Sequence, residues 1–192
     1  MITLPDPKLK GEVSLEEAIT NRRSIRYFQN KPISMEDISQ LLWAAQGLTD
    51  KLNKYRSAPS AGGRYPMEIH AITAEGMFHY HPAKHAIEQL RTGDLRPKLV
   101  QAALGQKFIA DASLVLIISA IPEKITTRYG DKGVRYLYQE SGHIAQNIHL
   151  EATALGLCSV PIGAFTEDVL KASIDLPDDL KPLYIVPIGY KK

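Results

Sequence analysis

The sequence of 192 residues contains 44% hydrophobic and 23% charged side chains and carries a net charge of +2. This composition is typical of a globular chain long enough for one domain, and the small net charge argues against nucleic acid as the main partner. No apolar run reaches the length of a membrane-spanning helix, and the single cysteine, Cys158, excludes an internal disulfide. Because the first residues also lack the apolar core of a signal peptide, we expect a cytoplasmic protein without a membrane partner.

The first half of the chain predicts an arm, two helices, a loop and a hairpin. Ser14 and Glu17 have the spacing of a capping box, and Ser34 marks the start of a second helix that Gly47 ends. Proline and glycine make the next stretch a loop, and Gly76 lies at the turn of the hairpin. In chain order these elements are the arm at 1–13, helices from 14 to about 21 and from 34 to about 46, the loop at 48–66, and strands at 67–73 and 77–81.

The second half predicts helices around one central strand. Residues 113–120 are apolar and rich in β-branched side chains, which favours a fully buried strand. Pro97 suits the first turn of a helix and Gly105 its end, whereas Pro187 indicates that the last strand ends at a sheet edge. The other predicted elements are a helical segment at 82–90, a helix at 97–104, a long helix within 134–157, an extended segment at 158–162, a helix at 166–174 and a strand at 183–188. Their irregular alternation predicts an α+β fold with a single domain, residues 1–192.

The stretch 134–157 is the longest predicted helix, and the rest of the chain is organised around it. Apolar residues recur every three or four positions along one face, and Gly156 provides its end. Small residues such as Gly142 and Ala145 also occur along it, and they allow a second helix to approach closely. The helix is either a core helix of one subunit or one that also faces a second copy of the chain, and we favour the second interpretation.

Two segments contain residues suited to binding an anion or a cofactor. The first follows the first predicted helix and consists of Arg22, Arg23, Ser24 and Arg26. Guanidinium groups match phosphate oxygens, although a solvated basic turn explains the same spacing equally well. The second segment is the loop at 58–66, where glycines let the backbone approach a ligand and Ser60 offers a hydroxyl. Taken alone, that loop is better explained as a flexible connection.

The histidines and the cysteine are less informative. His79, His81 and His85 form a pattern in which a metal site is conceivable, but exposed hairpin histidines explain it better, and no metal is predicted. We interpret Cys158 as a small core residue. Neither a Gly-x-Gly-x-x-Gly segment after a strand nor a Gly-x-Ser-x-Gly elbow is present in the sequence.

Three separated segments together resemble the FMN-dependent nitroreductase superfamily. They are Arg-Arg-Ser-Ile-Arg-Tyr-Phe at 22–28, Ala-Pro-Ser-Ala-Gly-Gly-Arg-Tyr-Pro-Met-Glu at 58–68, and Gly-His-Ile-Ala-Gln-Asn with Ala-Leu-Gly-Leu-Cys-Ser-Val-Pro-Ile-Gly-Ala-Phe within 142–165. The second segment, with Tyr-His-Pro-Ala-Lys-His at 80–85, is most similar to the SagB-type branch, whose members include azoline oxidases. The resemblance covers roughly residues 14–190, and the order and spacing of the segments make it specific.

The resemblance implies a mostly antiparallel central sheet flanked by helices, and an intertwined homodimer with FMN bound at its interface. The long helix would pair across that dimer. It also implies that NAD(P)H reduces the flavin and that a small acceptor, such as a nitroaromatic or a quinone, is reduced in turn by a ping-pong reaction. A dedicated catalytic acid or base is not implied.

By position, the resemblance assigns cofactor-binding roles to residues in four segments. Arg22, Arg23 and Ser24 would hold the phosphate and the ribityl chain, and Arg26 would face the N1/O2 edge of the flavin. The residues that would approach from the partner subunit are Pro59, Ser60, Ala61 and Gly63. Those that would line the ring near N5 and O4, mainly through their backbone, are Pro161, Ile162, Gly163 and Ala164. Lys191 is a further candidate on the phosphate side.

The sequence departs from the family pattern at three places. Many nitroreductases have Asn where Gly63 stands and Glu-Gly where Gly163 and Ala164 stand. Azoline oxidases have Lys-Tyr-Gly where this chain has Arg128-Tyr129-Gly130, and arginine is too strong a conjugate acid to act readily as a base. A SagB-like dehydrogenase acting on an azoline or another small heterocycle, and a flavin-binding protein without turnover, are therefore the alternatives to a reductase.

Overall fold

The computed structural model describes residues 1–29 and 31–192. The helices among these residues are α1 (Leu15–Asn21), α2 (Met35–Gln46), α3 (Arg96–Ala102), α4 (Phe108–Asp111), α5 (Glu123–Tyr129), α6 (Lys132–Ala154) and α7 (Glu167–Ile174). The strands are β1 (Ile2–Thr3), β2 (Leu48–Asp50), β3 (Tyr55–Arg56), β4 (Met67–Ile72), β5 (Gly76–His81), β6 (Ala86–Thr92), β7 (Leu114–Ala120), β8 (Cys158–Ser159) and β9 (Lys181–Gly189). None of the described helices is both long and apolar enough to cross a membrane.

Seven strands form one sheet in the order β1-β6-β5-β4-β7-β9-β8, and every neighbouring pair is antiparallel. Strand β7 lies at its centre and is fully buried, as its apolar sequence predicts. Its side chains alternate between two cores: Leu114 packs in the core that includes residues of α2 and α6, and Val115 in the core that includes residues of α3 and α7. Helices therefore cover both faces of an antiparallel sheet, which confirms the predicted α+β fold.

The predicted helix signals are confirmed at three positions. The Ser14 hydroxyl accepts the Glu17 amide at 3.1 Å, and the Glu17 carboxylate accepts the Ser14 amide at 2.8 Å, which completes the capping box of α1. Ser34 accepts the amide of Asp37 at the start of α2. The Gly47 amide donates to the carbonyl of Trp43 at the end of the same helix.

The segment predicted to be helical at 82–90 is instead a turn followed by strand β6. His81 pairs with Ala86, and the pairing continues to the far end of β5, where Gly76 faces Thr92. Ala86 and Ile87 are buried, whereas the next residues are exposed. The prediction of a helix was wrong because strand pairing with β5 outweighs local propensity at this short segment.

Three further expectations needed correction. The loop predicted at 48–66 contains the small β2–β3 hairpin, while the sequence did not reveal α4 or α5. The prediction that Pro187 marks a sheet edge was wrong, because β9 pairs with β7 on one side and with β8 on the other. Strand β8 has only two residues, but the chain after it stays beside β9: the amide of Val160 donates to the Pro187 carbonyl, and Ile162 forms a bridge with Ile185.

The first 13 residues, predicted to be an arm, are attached to the rest of the chain. Strand β1 pairs with β6, and Leu4 is buried. The Ser39 hydroxyl donates to the Pro5 carbonyl at 2.6 Å, and the Gln40 side chain accepts the Lys8 amide at 2.8 Å. These contacts fix the first half of the segment against α2.

Candidate functional site

The first basic turn, residues 22–26, runs beside strand β8. Ser24 forms a parallel bridge with Ser159, and the Ile25 amide donates to the Ser159 carbonyl at 3.2 Å. The segment 159–164 begins at this bridge and therefore lies next to the arginine turn. The fold thus brings together two of the sequence segments from which cofactor contacts were predicted.

Arg22 is held by a buried histidine of α6. Its Nη1 lies 3.3 Å from Nε2 of His149, and Nδ1 of His149 lies 2.6 Å from the Ser159 hydroxyl. Because a guanidinium can only donate, Nε2 accepts and Nδ1 carries the proton. Burial, with the charge of Arg22 second, lowers the pKa of His149 to about 4, so the ring is neutral near pH 7.

The other polar residues of the turn point outward or bond only to the backbone. Arg23 donates to the carbonyls of Thr20 and Arg22, whereas Ser24 and Arg26 are exposed. Within the described part of the chain, none of the three arginines has a carboxylate within 4.0 Å. The turn is therefore a positively charged surface with a free hydroxyl, as an anion site requires.

The end of the chain lies against the same turn. Phe28 forms an antiparallel bridge with Lys191, and Gln29 donates from Nε2 to the Lys191 carbonyl at 2.7 Å. The Lys191 side chain is exposed. Lys191, which was predicted to contact the phosphate, thus pairs with a residue three positions after Ile25. The end of the chain and the arginine turn therefore lie on the same edge of the fold.

The segment expected near N5 and O4 follows β8. Ile162 is buried and exchanges backbone hydrogen bonds with Ile185 at 2.8 and 3.0 Å, while Pro161 is half-buried. Gly163 and Ala164 are exposed, and the ring of Tyr184 lies 3.8 Å from where a Cβ of Gly163 would be. The Ala164 carbonyl accepts a hydrogen bond from Nε2 of Gln106 at 3.4 Å, and both residues lie at the surface, where a ligand can reach them.

The side chain of Glu140 in α6 anchors the loop at 58–66. The Ser60 hydroxyl donates to Oε2 of Glu140 at 2.6 Å and accepts the amide of Tyr65 at 2.9 Å. Pro59 and Gly63 are exposed, and Ala61 is half-buried. The loop is therefore a fixed structure with an exposed backbone rather than a flexible connection.

Gly62 lets this loop pass over Tyr129. Its φ of 59° is in the left-handed region, and a Cβ at this position would collide with the Tyr129 hydroxyl. The neighbouring Arg128 is exposed, and its guanidinium lies 5.5 Å from the centre of the Tyr129 ring. The Arg128-Tyr129 pair singled out in the sequence thus lies directly against the loop.

Glu140 is 2% exposed and is the most unusual carboxyl group near the loop. Burial raises the pKa of Glu140 to about 7. The hydrogen bond from Ser60, the charge of Arg56 and the nearby Gln46 amide lower this pKa, but their combined effect is smaller. Among the described residues, neither Oε1 of Glu140 nor Nε2 of Gln46 has a hydrogen-bond partner of good geometry. Glu140 therefore exchanges its proton near neutral pH.

The two groups of predicted cofactor contacts attach to different parts of α6. His149 holds the arginine turn, and Glu140 holds the 58–66 loop, nine residues earlier on the helix. At 1.5 Å per residue these points are about 13 Å apart along the axis. Among the residues that the structure describes, no hydrogen bond or ion pair joins the arginine turn to the loop.

The histidines of the hairpin have structural partners. His79 lies 2.9 Å from Glu68, and His81 lies 2.9 Å from Glu88. His85 lies between the Tyr80 hydroxyl, at 2.9 Å, and the Ser39 hydroxyl, at 2.8 Å. The described residues contain no group of three or more His, Cys, Asp or Glu side chains that could hold a metal ion.

His149 and Glu140 were not identified as functional candidates from the sequence. Both lie on α6, in the stretch recognised as a central helix. A buried position on a helix is normally occupied by an apolar residue. A polar residue in register with the apolar stripe therefore indicates a buried polar group, and this signal could have identified both residues. Glu140 lies three positions after Leu137 and four before Ile144, and His149 lies four positions after Ala145 and three before Ala152. All four of these apolar residues are buried.

A sequence model of the nitroreductase family matches residues 19–190. A Methanocaldococcus jannaschii protein named "putative nitroreductase" is 39% identical over an alignment of 196 residues that covers 99% of this chain and 96% of that protein. An Archaeoglobus fulgidus protein named "putative NADH dehydrogenase/NAD(P)H nitroreductase" is 26% identical over 91% of this chain and 83% of its own length. The microcin B17-processing protein McbC of Escherichia coli is 23% identical over 79% of this chain and 60% of McbC.

The fold is also similar to solved structures. A crystal structure of a Ralstonia eutropha protein, again titled a "putative nitroreductase", superposes with a TM-score of 0.90 and 28% sequence identity. The match covers 100% of this chain and 89% of that one. The mostly antiparallel sheet with flanking helices is therefore the nitroreductase fold.

Proposed function

This chain belongs to the nitroreductase family of oxidoreductases, and from that premise we propose that it is an FMN-dependent enzyme that takes electrons from NAD(P)H. The acceptor is proposed to be a nitroaromatic, a quinone or a similar small molecule. The name of the Archaeoglobus relative, which includes NAD(P)H, supports the choice of donor. When bound, FMN supplies the redox chemistry, and the protein supplies binding, orientation and charge.

The observation that carries this proposal is the arrangement of Arg22, Ser24 and Lys191 along one edge. Arg22 is oriented by a neutral histidine, Ser24 is exposed, and Lys191 is bridged to the same turn through Phe28. Cations and a hydroxyl without carboxylate partners form a donor set that fits a phosphate monoester. We assign the phosphate and ribityl chain of FMN to Arg22, Arg23 and Ser24, with Lys191 as a further phosphate contact.

The ring of the cofactor is assigned to three other segments. Arg26 is exposed and provides a positive charge for the N1/O2 edge. We assign residues 161–164, of which Gly163 and Ala164 are exposed, to the ring near N5 and O4. The loop residues Pro59, Ser60, Ala61 and Gly63 are assigned to the same ring from the partner subunit.

A homodimer is part of the proposal because one chain separates the two halves of the site. Helices α1 and α6 pack on each other, and both keep exposed apolar side chains: Leu15 (61%) and Ile19 (53%) on α1 and Tyr138 (53%) on α6. Beside Gly142 of α6 there is open space, with no atom within 4 Å of a built Cβ. These features suit a second α6 helix packed against the first.

The SagB-like alternative is an oxidative dehydrogenase of a heterocycle, and the position of Tyr129 against Gly62 is the observation that favours it. McbC, a microcin-processing protein, supports the same branch. Against it, this chain has an arginine where azoline oxidases have a lysine, and a guanidinium does not readily accept a proton from a substrate. We therefore rank reduction of a small acceptor first and a non-catalytic flavin-binding role last.

Purification followed by anaerobic titration tests the proposal. The protein should be yellow with the absorbance of a flavin, and NADH or NADPH should bleach it. A colourless protein that takes up no added FMN excludes both enzyme functions. A yellow protein that neither nucleotide bleaches excludes the reductase and favours the dehydrogenase, for which a panel of oxidants and heterocycles is the next measurement.

A further inference from the structure

A second possible binding site lies away from the arginine turn. A cavity of about 860 Å³ opens between the β2–β3 hairpin, the turn between β5 and β6, and residues 63–65. Its described lining includes none of residues 22–26 and none of residues 159–164. The volume suits a ligand the size of a nucleotide.

The lining of this cavity is strongly basic. Six of its residues are cations: Lys51, Lys54, Arg56, Arg64, Lys84 and Lys124. Asp6 is the one carboxylate among the described lining residues, which leaves a surplus of five positive charges in a chain whose net charge is +2. Only Lys124 has an ion-pair partner in the described structure, Glu68 at 2.6 Å. A concave surface with one sign of charge attracts ligands of the opposite sign.

Arg56 provides the most specific sign of an anionic ligand. It is half-buried, and burial lowers the pKa of its guanidinium. Nη1 donates to Gln46 at 2.7 Å, while the guanidinium carbon lies 4.7 Å from the centre of the Tyr65 ring. A buried cation is costly unless it is paired. Glu68 and Glu140 act on Arg56 through their charge, but in the described structure neither carboxylate lies within 4.0 Å of the guanidinium, so this half-buried arginine still favours an anion from outside.

Aromatic rings complete the site. Trp43, Tyr55 and Tyr65 all line the cavity. The Trp43 indole is fixed by donating to the Leu48 carbonyl at 3.3 Å, and Tyr65 is fixed by accepting the Arg56 amide at 3.2 Å. Rigid rings beside cations suit a ligand that has both a planar ring and phosphate groups.

We propose that this cavity binds the phosphorylated adenosine end of NADPH, with the 2′-phosphate among the cations and the adenine against the aromatic rings. Gly63 belongs both to the cavity and to the loop assigned to the flavin, so a dinucleotide held here extends toward that loop. The inference rests on the proposed function, which it deepens by selecting NADPH over NADH. The 2′-phosphate of NADPH is attracted by the excess positive charge of the cavity, and NADH lacks this phosphate.

Binding of nucleotide fragments to the FMN-loaded protein tests this site separately from turnover. We expect 2′,5′-ADP to bind at least about tenfold more tightly than 5′-AMP by isothermal titration calorimetry, because one further charged contact has about that effect. Lys51→Gln combined with Lys84→Gln should remove this preference and raise the KM for NADPH more than that for NADH. The matched control is Lys98→Gln with Lys107→Gln, two exposed lysines outside the cavity.

Other outcomes overturn the assignment. Equal binding of 2′,5′-ADP and 5′-AMP, or an unchanged preference in the Lys51 and Lys84 variant, rejects the site. Inorganic phosphate that binds as tightly as 2′,5′-ADP rejects the nucleotide and leaves a simple anion site. If 2′,5′-ADP binds as expected but NADPH does not bleach the flavin, the cavity is supported while the reductase function fails.

Discussion

Arg22 and His149 are 127 positions apart in the sequence, yet the guanidinium Nη1 lies 3.3 Å from the imidazole Nε2. The contact fixes the arginine turn to the central helix α6. It also sets the tautomer of the histidine, whose Nδ1–H donates to Ser159 at 2.6 Å. A neutral ring between a cation and a hydroxyl holds the cation in place without neutralising its charge, which stays available to a phosphate.

Replacing Arg22 and Ser24 tests the phosphate assignment. Arg22→Ala with Ser24→Ala removes a guanidinium and a hydroxyl from the proposed phosphate site. Each lost charged hydrogen bond costs about 1.5–3 kcal/mol, so the loss of two should raise the Kd for FMN by at least about a hundredfold, measured by quenching of flavin fluorescence. Arg91→Ala, at an exposed arginine paired with Asp175, is the control and should leave FMN binding unchanged. Unchanged affinity in the double variant contradicts the assignment.

His149 should act on FMN through Arg22 alone. His149→Leu removes the acceptor for Arg22 and should weaken FMN binding several-fold, whereas His149→Gln keeps an acceptor and should retain most of it. The histidine pKa of about 4 is below its ordinary value of 6.5, so lowering the pH through this range protonates the unfolded chain first and destabilises the fold. FMN affinity should fall near pH 4 in the native protein and less steeply in the Gln variant. Equal affinities of the Leu and Gln variants would exclude a positioning role.

Glu140 should make stability decrease between about pH 4.5 and pH 7. Its folded-state pKa of about 7 lies above the ordinary value of 4.5, so the folded protein holds a proton that the unfolded chain has released. The stabilisation is complete below pH 4.5 and is lost as the pH rises through 7. Glu140→Gln should therefore be more stable than the native protein at pH 8, by on the order of 1–3 kcal/mol. Urea unfolding at several pH values measures the difference, with the exposed Glu123→Gln as control.

Gly62 should be more sensitive to substitution than a glycine of similar backbone geometry elsewhere. Gly62→Ala places a methyl group against the Tyr129 hydroxyl at a φ of 59°. Gly105→Ala has a φ of 81° but nothing within 4 Å, so it suffers only the backbone strain of about 1–2 kcal/mol. Gly62→Ala should therefore lower the Tm and weaken FMN binding more than Gly105→Ala does. Equal effects of the two substitutions would show that contact with Tyr129 is unimportant.

Gly142 provides a test of the proposed dimer. Gly142→Glu introduces a charged side chain into the open space beside α6, where we place a second copy of the helix. The variant should sediment as a monomer and lose FMN, because loop 58–63 of the partner no longer reaches the cofactor. Gln101→Glu, at an exposed position of α3, should remain a dimer. A dimeric Gly142→Glu protein with bound FMN would place the interface elsewhere.

Local signals predicted much of the fold because their causes are local. The Ser14 capping box, the Gly47 helix end and the hairpin turn at Gly76 depend on residues a few positions apart, and all three are confirmed. The segment at 82–90 failed because its conformation depends on pairing with β5 and not on its own propensity. Pro187 failed for a similar reason, since a sheet edge is a property of the neighbouring strands.

The sequence by itself determined the α+β class, the central helix and, through three short segments, the family. Only the tertiary structure decided which side chains meet: Arg22 with His149, Ser60 with Glu140, and the six cations around one cavity. The physical reason is the range of the interactions involved. Capping and periodicity act within a few residues, whereas desolvation and charge clustering depend on segments far apart in the chain.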